Sequence, residues 1–436
     1  MSSDVIQQST PPAISNPISL CDHWMSSINL ESIICQTSTP VFVYSENRLV
    51  ENVRRIKNAI INSKLVNTVA IYVPFFPNSN PHILKALKDE GVGLLLQMPN
   101  EFDIITQFGF DDFIISPGHI SDQEISFWND TKYWTFLGSI DEIKFAIDQK
   151  AESICLRIDA LGSDKPGVKV EQLPQLALLL EESGRDLDCF EVYCGSGNSL
   201  ADMVRIVKQI FEIHMSHFPT ARAINFAGGH GFVYEGWDQE KKHFDWLSYF
   251  QEIRDLASEM GVSPDVQFLF EPARDVLADI GILVAGVKRD LISHSVGNII
   301  VTDASRMLMP SAQMRDRLHN VVFFDSALCE IHAGDESSSA MIRGRSILRN
   351  DYVLPRHYDV PKSVGAGDYI VIFDVGAYCA TQHMEFLNVP PAGEVLIDRE
   401  GAAHLVTHPG GGADKWRHLL HEPQRMSLVL DKVSAA

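Results

Sequence analysis

The sequence is short of basic charge, of paired cysteines and of long apolar runs. Its formal net charge is -21 over 436 residues. Such a surface repels a phosphate backbone, which excludes a nucleic-acid partner. No apolar run reaches the ~18 residues of a membrane-crossing helix, so no membrane span is expected. The opening "MSSDVIQQSTPPAISNP" has neither a basic region nor an apolar core and does not read as a secretion signal. Seven cysteines are scattered without a CxxC pair, and the number is odd. They read as free thiols of a reducing compartment, and the expected location is the cytoplasm.

What is present is an ordinary globular composition, 45% hydrophobic and 21% charged. The length exceeds one ordinary core, so two domains are expected. From Thr39 onward short apolar strands alternate with helical patterns. "PVFVYS" precedes "ENRLVENVRRIKNAIINS", "TVAIYV" precedes "PHILKALKDEG", and the series runs on to "VQFLFEP". Alternation of this kind means a parallel sheet, and the number of units fits a (β/α)8 TIM barrel. After Gly286 the pattern turns to strands separated by turns: "ILVAGVKRD", "NIIVTDA", "NVVFF", "DYIVIFDVG" and "AGEVLID". The expected division is a barrel over 39–286 and a C-terminal β domain over 287–436. Residues 1–38 are expected to form a tail and the first elements of the β domain.

Three stretches carry candidate chemistry. "INFAGGHGFVYEG" ends a strand in Gly228, Gly229, His230 and Gly231. Backbone N–H groups in such a turn can cradle a phosphate; the alternative is a tight turn with no ligand. "FLFEPARD" puts Glu271 and Arg274 just past the last barrel strand. A carboxylate there needs a partner, either a protonated ring nitrogen or Arg274 itself. "FDVGAY" places Tyr378 after a strand, its hydroxyl a donor for phosphate or a buried turn group. The histidine pairs His214/His217 and His418/His421 lack a third ligand, so no metal site is expected. "HPGGG" at 408–412 reads as a loop.

In this order the pieces resemble the fold-type III pyridoxal-phosphate decarboxylases, which act on diaminopimelate, ornithine and carboxynorspermidine. "NFAGGHGFVY" is similar to that family's glycine loop, "FEPARD" to its Glu-Pro-Gly-Arg, and "GDYIVIFDVGAY" to its Gly-Asp…Gly-Ala-Tyr. The resemblance implies an alanine-racemase-like barrel with a C-terminal β domain, head-to-tail dimers and pyridoxal phosphate as cofactor. It implies that Gly228, Gly229 and Gly231 line the phosphate, with Arg274 beside it and Tyr378 touching it. Glu271 would face the pyridine nitrogen. Tyr193, in "VYCGSGN", replaces the ring-stacking histidine; Ser196 is kept as a phosphate ligand, and Arg157 matches the family's Leu-Arg segment.

The departures bear on chemistry. The family's cofactor lysine aligns with Phe76, or with Phe75 if the turn slips by one. No lysine stands between Lys64 and Lys85. The interface cysteine aligns with Ile347 in "GRSILRND", while Asp351, which in the family reads the substrate's distal amine, is retained. Ala273 and His230 add bulk at glycine positions, and Leu95 stands where an aspartate is frequent. The expected function is therefore a decarboxylase homologue without lysine-based chemistry. It would bind a cofactor non-covalently, an amino-acid-like ligand or a partner subunit, as a homodimer or in a heterodimer with an active paralogue. The alternative is a working lyase that uses non-covalent cofactor or a relocated lysine such as Lys165. A pocket lined by Phe75, Phe76 and Leu95 could also hold a more apolar ligand.

Overall fold

The computed structural model describes residues 23–160, 165–294, 297–332 and 336–410. Residues 1–22, His418 and His421 lie outside these, as do residues 411 and 412 of the 408–412 loop.

The first strand, β1 (Val41–Ser45), does not open the barrel as the alternation predicts. It pairs parallel with β18 (Gly393–Ile397) and antiparallel with β11 (Gly281–His294) in a second sheet. All five of its residues are buried, so pattern alone cannot tell it from a barrel strand. The barrel strands are β2 (Val69–Pro74), β3 (Gly93–Leu96), β4 (Phe113–Ile115), β5 (Trp134–Leu137), β6 (Cys155–Asp159), β8 (Cys189–Val192), β9 (Ala223–Asn225) and β10 (Gln267–Phe270). Each pairs parallel with the next, and β10 closes on β2. A two-residue β7 (Val168–Lys169) hangs on the edge of β6. This is an eight-stranded parallel barrel. The second, mostly antiparallel sheet takes the remaining strands: β12 (Gly297–Thr302), β13 (Val321–Phe324), β14 (Glu330–Ile331), β15 (Ser337–Arg343), β16 (Tyr352–Pro361), β17 (Tyr369–Phe373) and β19 (Ala403–Thr407), with β1, β11 and β18.

Local chemistry sets the barrel's turns. Ser45, Ser121, Ser139 and Ser199 each accept a backbone N–H at the start of a helix. Such a cap stabilises its helix by about 1 kcal/mol. The helix Pro81–Asp89 starts with proline at its first position, and Asn80 accepts from His82 N. It buries Ile83, Leu84, Ala86 and Leu87 at helical spacing against the barrel.

The strand period decides what faces the lumen. Leu95, Ile114, Phe136, Cys155, Cys189, Ala223 and Leu269 form one buried layer inside the barrel. Successive side chains on a strand alternate faces, so residues two positions on share that face at the C-terminal mouth. They are Gln97, Ser116, Gly138, Arg157, Glu191, Asn225 and Glu271. The functional layer of the barrel is thus the next register up from an apolar floor.

Candidate active site at the barrel mouth

A cavity of about 420 Å³ opens at this mouth. Of the residues expected there, Arg157, Tyr193, Ser196, Gly228, Gly229, Glu271, Arg274 and Tyr378 line it. Phe76, Leu95, Ala273 and His230 line it too. A larger groove of about 820 Å³ runs along helix Glu46–Ser63, away from the strand C-termini.

Phe76 follows β2 and sits 6.1 Å, centroid to centroid, from the Tyr378 ring. Phe75 points the other way, into the core between barrel and helices, and is only 5% exposed. Between the two alignments of the missing lysine, the cavity side belongs to Phe76. Tyr378 has φ of +61°, a conformation side chains rarely adopt. Two contacts hold it: its N–H donates to Pro77 O at 2.7 Å, and Ser311 Oγ donates to its carbonyl at 2.7 Å. A residue from the second sheet's side of the molecule is thereby fixed over the barrel.

The ring end of the cavity is acidic and buried. Glu271 Oε1 accepts from Asn225 Nδ2 at 2.6 Å. Burial, with the nearby Glu191 charge, pushes the Glu271 carboxyl well above the ordinary range. Ser116 Oγ donates to Glu191 Oε2 at 2.7 Å and accepts from Arg157 Nη1 at 3.1 Å. Arg157 Nε stands 3.6 Å from Glu191 Oε1. Ser116, Glu191 and Asn225 were not among the expected residues. The signal was available: a glutamate in the apolar strand "CFEV", two residues past a lumen-facing cysteine. Glu271 and Arg274 do not form the pair that their spacing allows; among the described residues Arg274 has no carboxylate partner, and its buried Nε is unpaired.

Tyr193 offers a ring face. Its hydroxyl shares a hydrogen bond with Ser196 Oγ at 2.8 Å. The Lys165 ammonium lies 3.6 Å from the ring centroid, so this exposed lysine stands at the rim of the cavity.

The glycines divide into two kinds. A Cβ on Gly228 would meet the Glu271 carbonyl oxygen at 2.6 Å, and one on Gly231 would meet Asn198 O at 2.8 Å. Gly229, at φ +104°, presses on Gly195 O. These three let the loops after β8, β9 and β10 close on one another, and Gly231 does not line the cavity. Gly195 and Gly197, both with positive φ, face open space around Ser196. His230 turns its ring into Trp246, 4.1 Å between centroids, and adds no bulk to the cavity. Burial pushes its imidazole down to about 3, so it stays neutral.

Asp351 lies elsewhere. It is fully buried and accepts from Ser305 Oγ, Arg306 N and Ser346 N. These bonds tie the 344–351 loop to the Ser305–Arg306 turn. Ile347, on that loop, is 93% exposed. Among the described residues no histidine, cysteine and carboxylate group could hold a metal ion, and no helix is long and apolar enough to cross a membrane.

The lining fits part of pyridoxal phosphate. An unpaired guanidinium and open glycine turns suit the phosphate, Tyr193 suits the ring, and Glu271 suits its nitrogen. The aldehyde end lacks an amine at position 76.

No family model matches the chain. It is 23% identical over 397 residues to the diaminopimelate decarboxylase of Methanothermobacter thermautotrophicus, covering 84% of this chain and 88% of that protein. The enzyme of Archaeoglobus fulgidus is 22% identical, covering 86% and 91%. Among solved structures, diaminopimelate decarboxylase from M. jannaschii in complex with L-lysine superposes with a TM-score of 0.79 at 18% identity, over 91% of this chain and 95% of that one. Lysine/ornithine decarboxylase from Vibrio vulnificus with cadaverine gives 0.71 at 17% identity, over 84% and 97%. By sequence and by fold together, the chain belongs among the homologues of the diaminopimelate decarboxylases, in the fold-type III pyridoxal-phosphate family.

Proposed function

We propose that the cavity binds pyridoxal phosphate non-covalently, in a protein that has lost the family's lysine-based decarboxylation. The observation that carries this reading is Phe76, an aromatic side chain in the cavity wall where the attaching amine is needed, beside the retained Ser196, Gly228, Gly229, Glu271, Arg274 and Tyr378. Arg274, Tyr378, Ser196 and the Gly228–Gly229 turn would hold the phosphate. Tyr193 would stack on the ring, and the proton-retaining Glu271 would share its proton with the ring nitrogen. Bound there, the cofactor supplies an electron sink for an amino acid or amino-acid derivative. Arg157 and Ser116 pair with Glu191, and burial is what favours the proton on Glu271.

The test is absorbance between roughly 300 and 500 nm on adding pyridoxal phosphate, then borohydride. Saturable binding with no reduction onto protein, and no carbon dioxide from diaminopimelate, lysine or ornithine, is the expected result. Robust turnover would overturn it.

A second reading is favoured by one contact. Lys165 Nζ already lies at the Tyr193 face, so it could serve as a relocated attachment point. A borohydride-fixed adduct mapped to Lys165 would establish that reading in place of the first.

A further inference from the structure

The chain has 57 acidic and 36 basic residues, yet two half-buried arginines near the cavity have no carboxylate partner among the described residues. Arg274 lines the cavity, its Cζ 4.7 Å from the Tyr378 ring centroid. Arg317 stands behind that wall, its Cζ 5.2 Å from the Tyr234 ring centroid. Tyr234 is buried, and its hydroxyl has no hydrogen-bond partner. Asp374 is taken by the buried Lys242, and Asp316, next to Arg317 in the chain, by Arg356. A pair of uncompensated guanidiniums in partly buried surroundings is destabilising unless an anion joins them.

We infer that the anionic end of the cavity is built for a doubly charged group, with Arg274 making the contact and Arg317 supplying the second positive charge from behind the Tyr378 and Tyr234 rings. A phosphate monoester carries nearly two charges at neutral pH and loses one below a second pKa of about 6. A carboxylate carries only one. Arg317 is thus a positioning and specificity residue. The inference rests on the reading of the cavity as a phosphate-ended cofactor site, but it concerns the anion alone.

The groups packed around Arg317 do not titrate in the relevant range. Burial pushes the Tyr234 and Cys379 groups up to about 12 and His319 down to about 3. Tyr378 is raised by burial, and Lys242 and Asp374 are locked to each other. Glu271 sits at the opposite, ring end and is controlled for by Glu271→Gln.

The experiment is calorimetric titration of the full chain with inorganic phosphate, pyridoxal phosphate and pyridoxal, at about pH 5 and about pH 7.5, on either side of the second phosphate ionisation. Wild type should bind inorganic phosphate more tightly at the higher pH. Arg317→Met should lose about tenfold there, the scale of one charge pair near a surface, and should lose most of the pH gain. Arg317→Lys should restore both, and pyridoxal affinity should not change. Melting curves check folding, and if Arg317→Met does not fold then Arg317→Gln takes its place. Phosphate affinity within twofold of wild type at both pH values, or no phosphate binding by wild type, overturns the inference. Arg317-dependent phosphate binding without pyridoxal phosphate binding would leave it standing and remove the cofactor reading instead. Pyridoxal phosphate binding that ignores Arg317 would do the reverse.

Discussion

The Lys165 ammonium and the Tyr193 ring are 3.6 Å apart, and that contact occupies the face on which a cofactor ring would stack. A cation on an aromatic face contributes about 0.5–2 kcal/mol, so an entering ring must displace it. If binding is non-covalent, Lys165→Gln should keep saturable pyridoxal phosphate binding and tighten it by a few-fold. Spectral titration of the variant measures this directly. A loss of tenfold or more would transfer the attachment role to Lys165.

Restoring the amine tests the assignment of position 76. Phe76→Lys should acquire a visible absorbance with pyridoxal phosphate and a borohydride-fixed adduct on residue 76. Phe75→Lys should acquire neither. It should destabilise the fold by roughly 3–5 kcal/mol, because it replaces a core ring and buries a charge. Peptide mapping and melting curves separate the two variants.

Asp351 accepts three hydrogen bonds, from Ser305 Oγ, Arg306 N and Ser346 N. Asp351→Ala should therefore destabilise by about 2–4 kcal/mol, since bonds to a charged group contribute more than neutral ones and their donors are left unpaired. It should leave cofactor affinity unchanged. An unaltered melting temperature together with weakened ligand binding would reverse that assignment.

A buried charge cluster should contribute most to stability in weak acid. His243 Nδ1 faces Asp275 Oδ1 at 3.0 Å and Nε2 faces Asp279 Oδ2 at 3.0 Å, with Arg48 and Arg55 beside them. Burial opposes the imidazolium, but the hydrogen bonds to both aspartates outweigh it and raise its proton affinity above the ordinary 6.5. Its contribution is fully present below 6.5 and fades as pH rises through the raised folded value. Burial also opposes the carboxylates, yet His243 and the arginines hold Asp275 down to about 2 and Asp279 lower still, against an ordinary 3.8. Their contribution is present above 3.8 and fades as pH falls through those values. This cluster's contribution to stability should therefore be greatest between 3.8 and 6.5. His243→Gln should flatten the alkaline limb and cost about 3 kcal/mol, by leaving buried acids short of a partner. A pH–melting profile identical to wild type would falsify this account.

The barrel was legible because its strands and helices alternate with clear periods and its glycine, Glu-Pro and Gly-Ala-Tyr turns mark three strand ends. β1 was not, because a strand buried on both faces looks the same in either sheet. Ser116, Glu191 and Asn225 were hidden for another reason. They become site residues only when counted two positions above the lumen layer, and that count requires knowing which face is inside. Asp351 was read from its place in a motif, and the fold adds that its carboxylate joins the 344–351 loop to Ser305 and Arg306. Lys165 read as a water-facing loop lysine; it is exposed, and only the fold shows its ammonium on the Tyr193 ring.

The bond from Tyr378 N–H to Pro77 O ties the two sheets together at the cavity itself. A fragment ending at β10 would keep the eight strands and lose the hydroxyl, the left-handed turn and Arg317 in one cut. The cavity is a seam between two bodies and not a property of the barrel. Any change that loosens the second sheet, however far from the mouth, should therefore register first as weaker ligand binding and only later as unfolding.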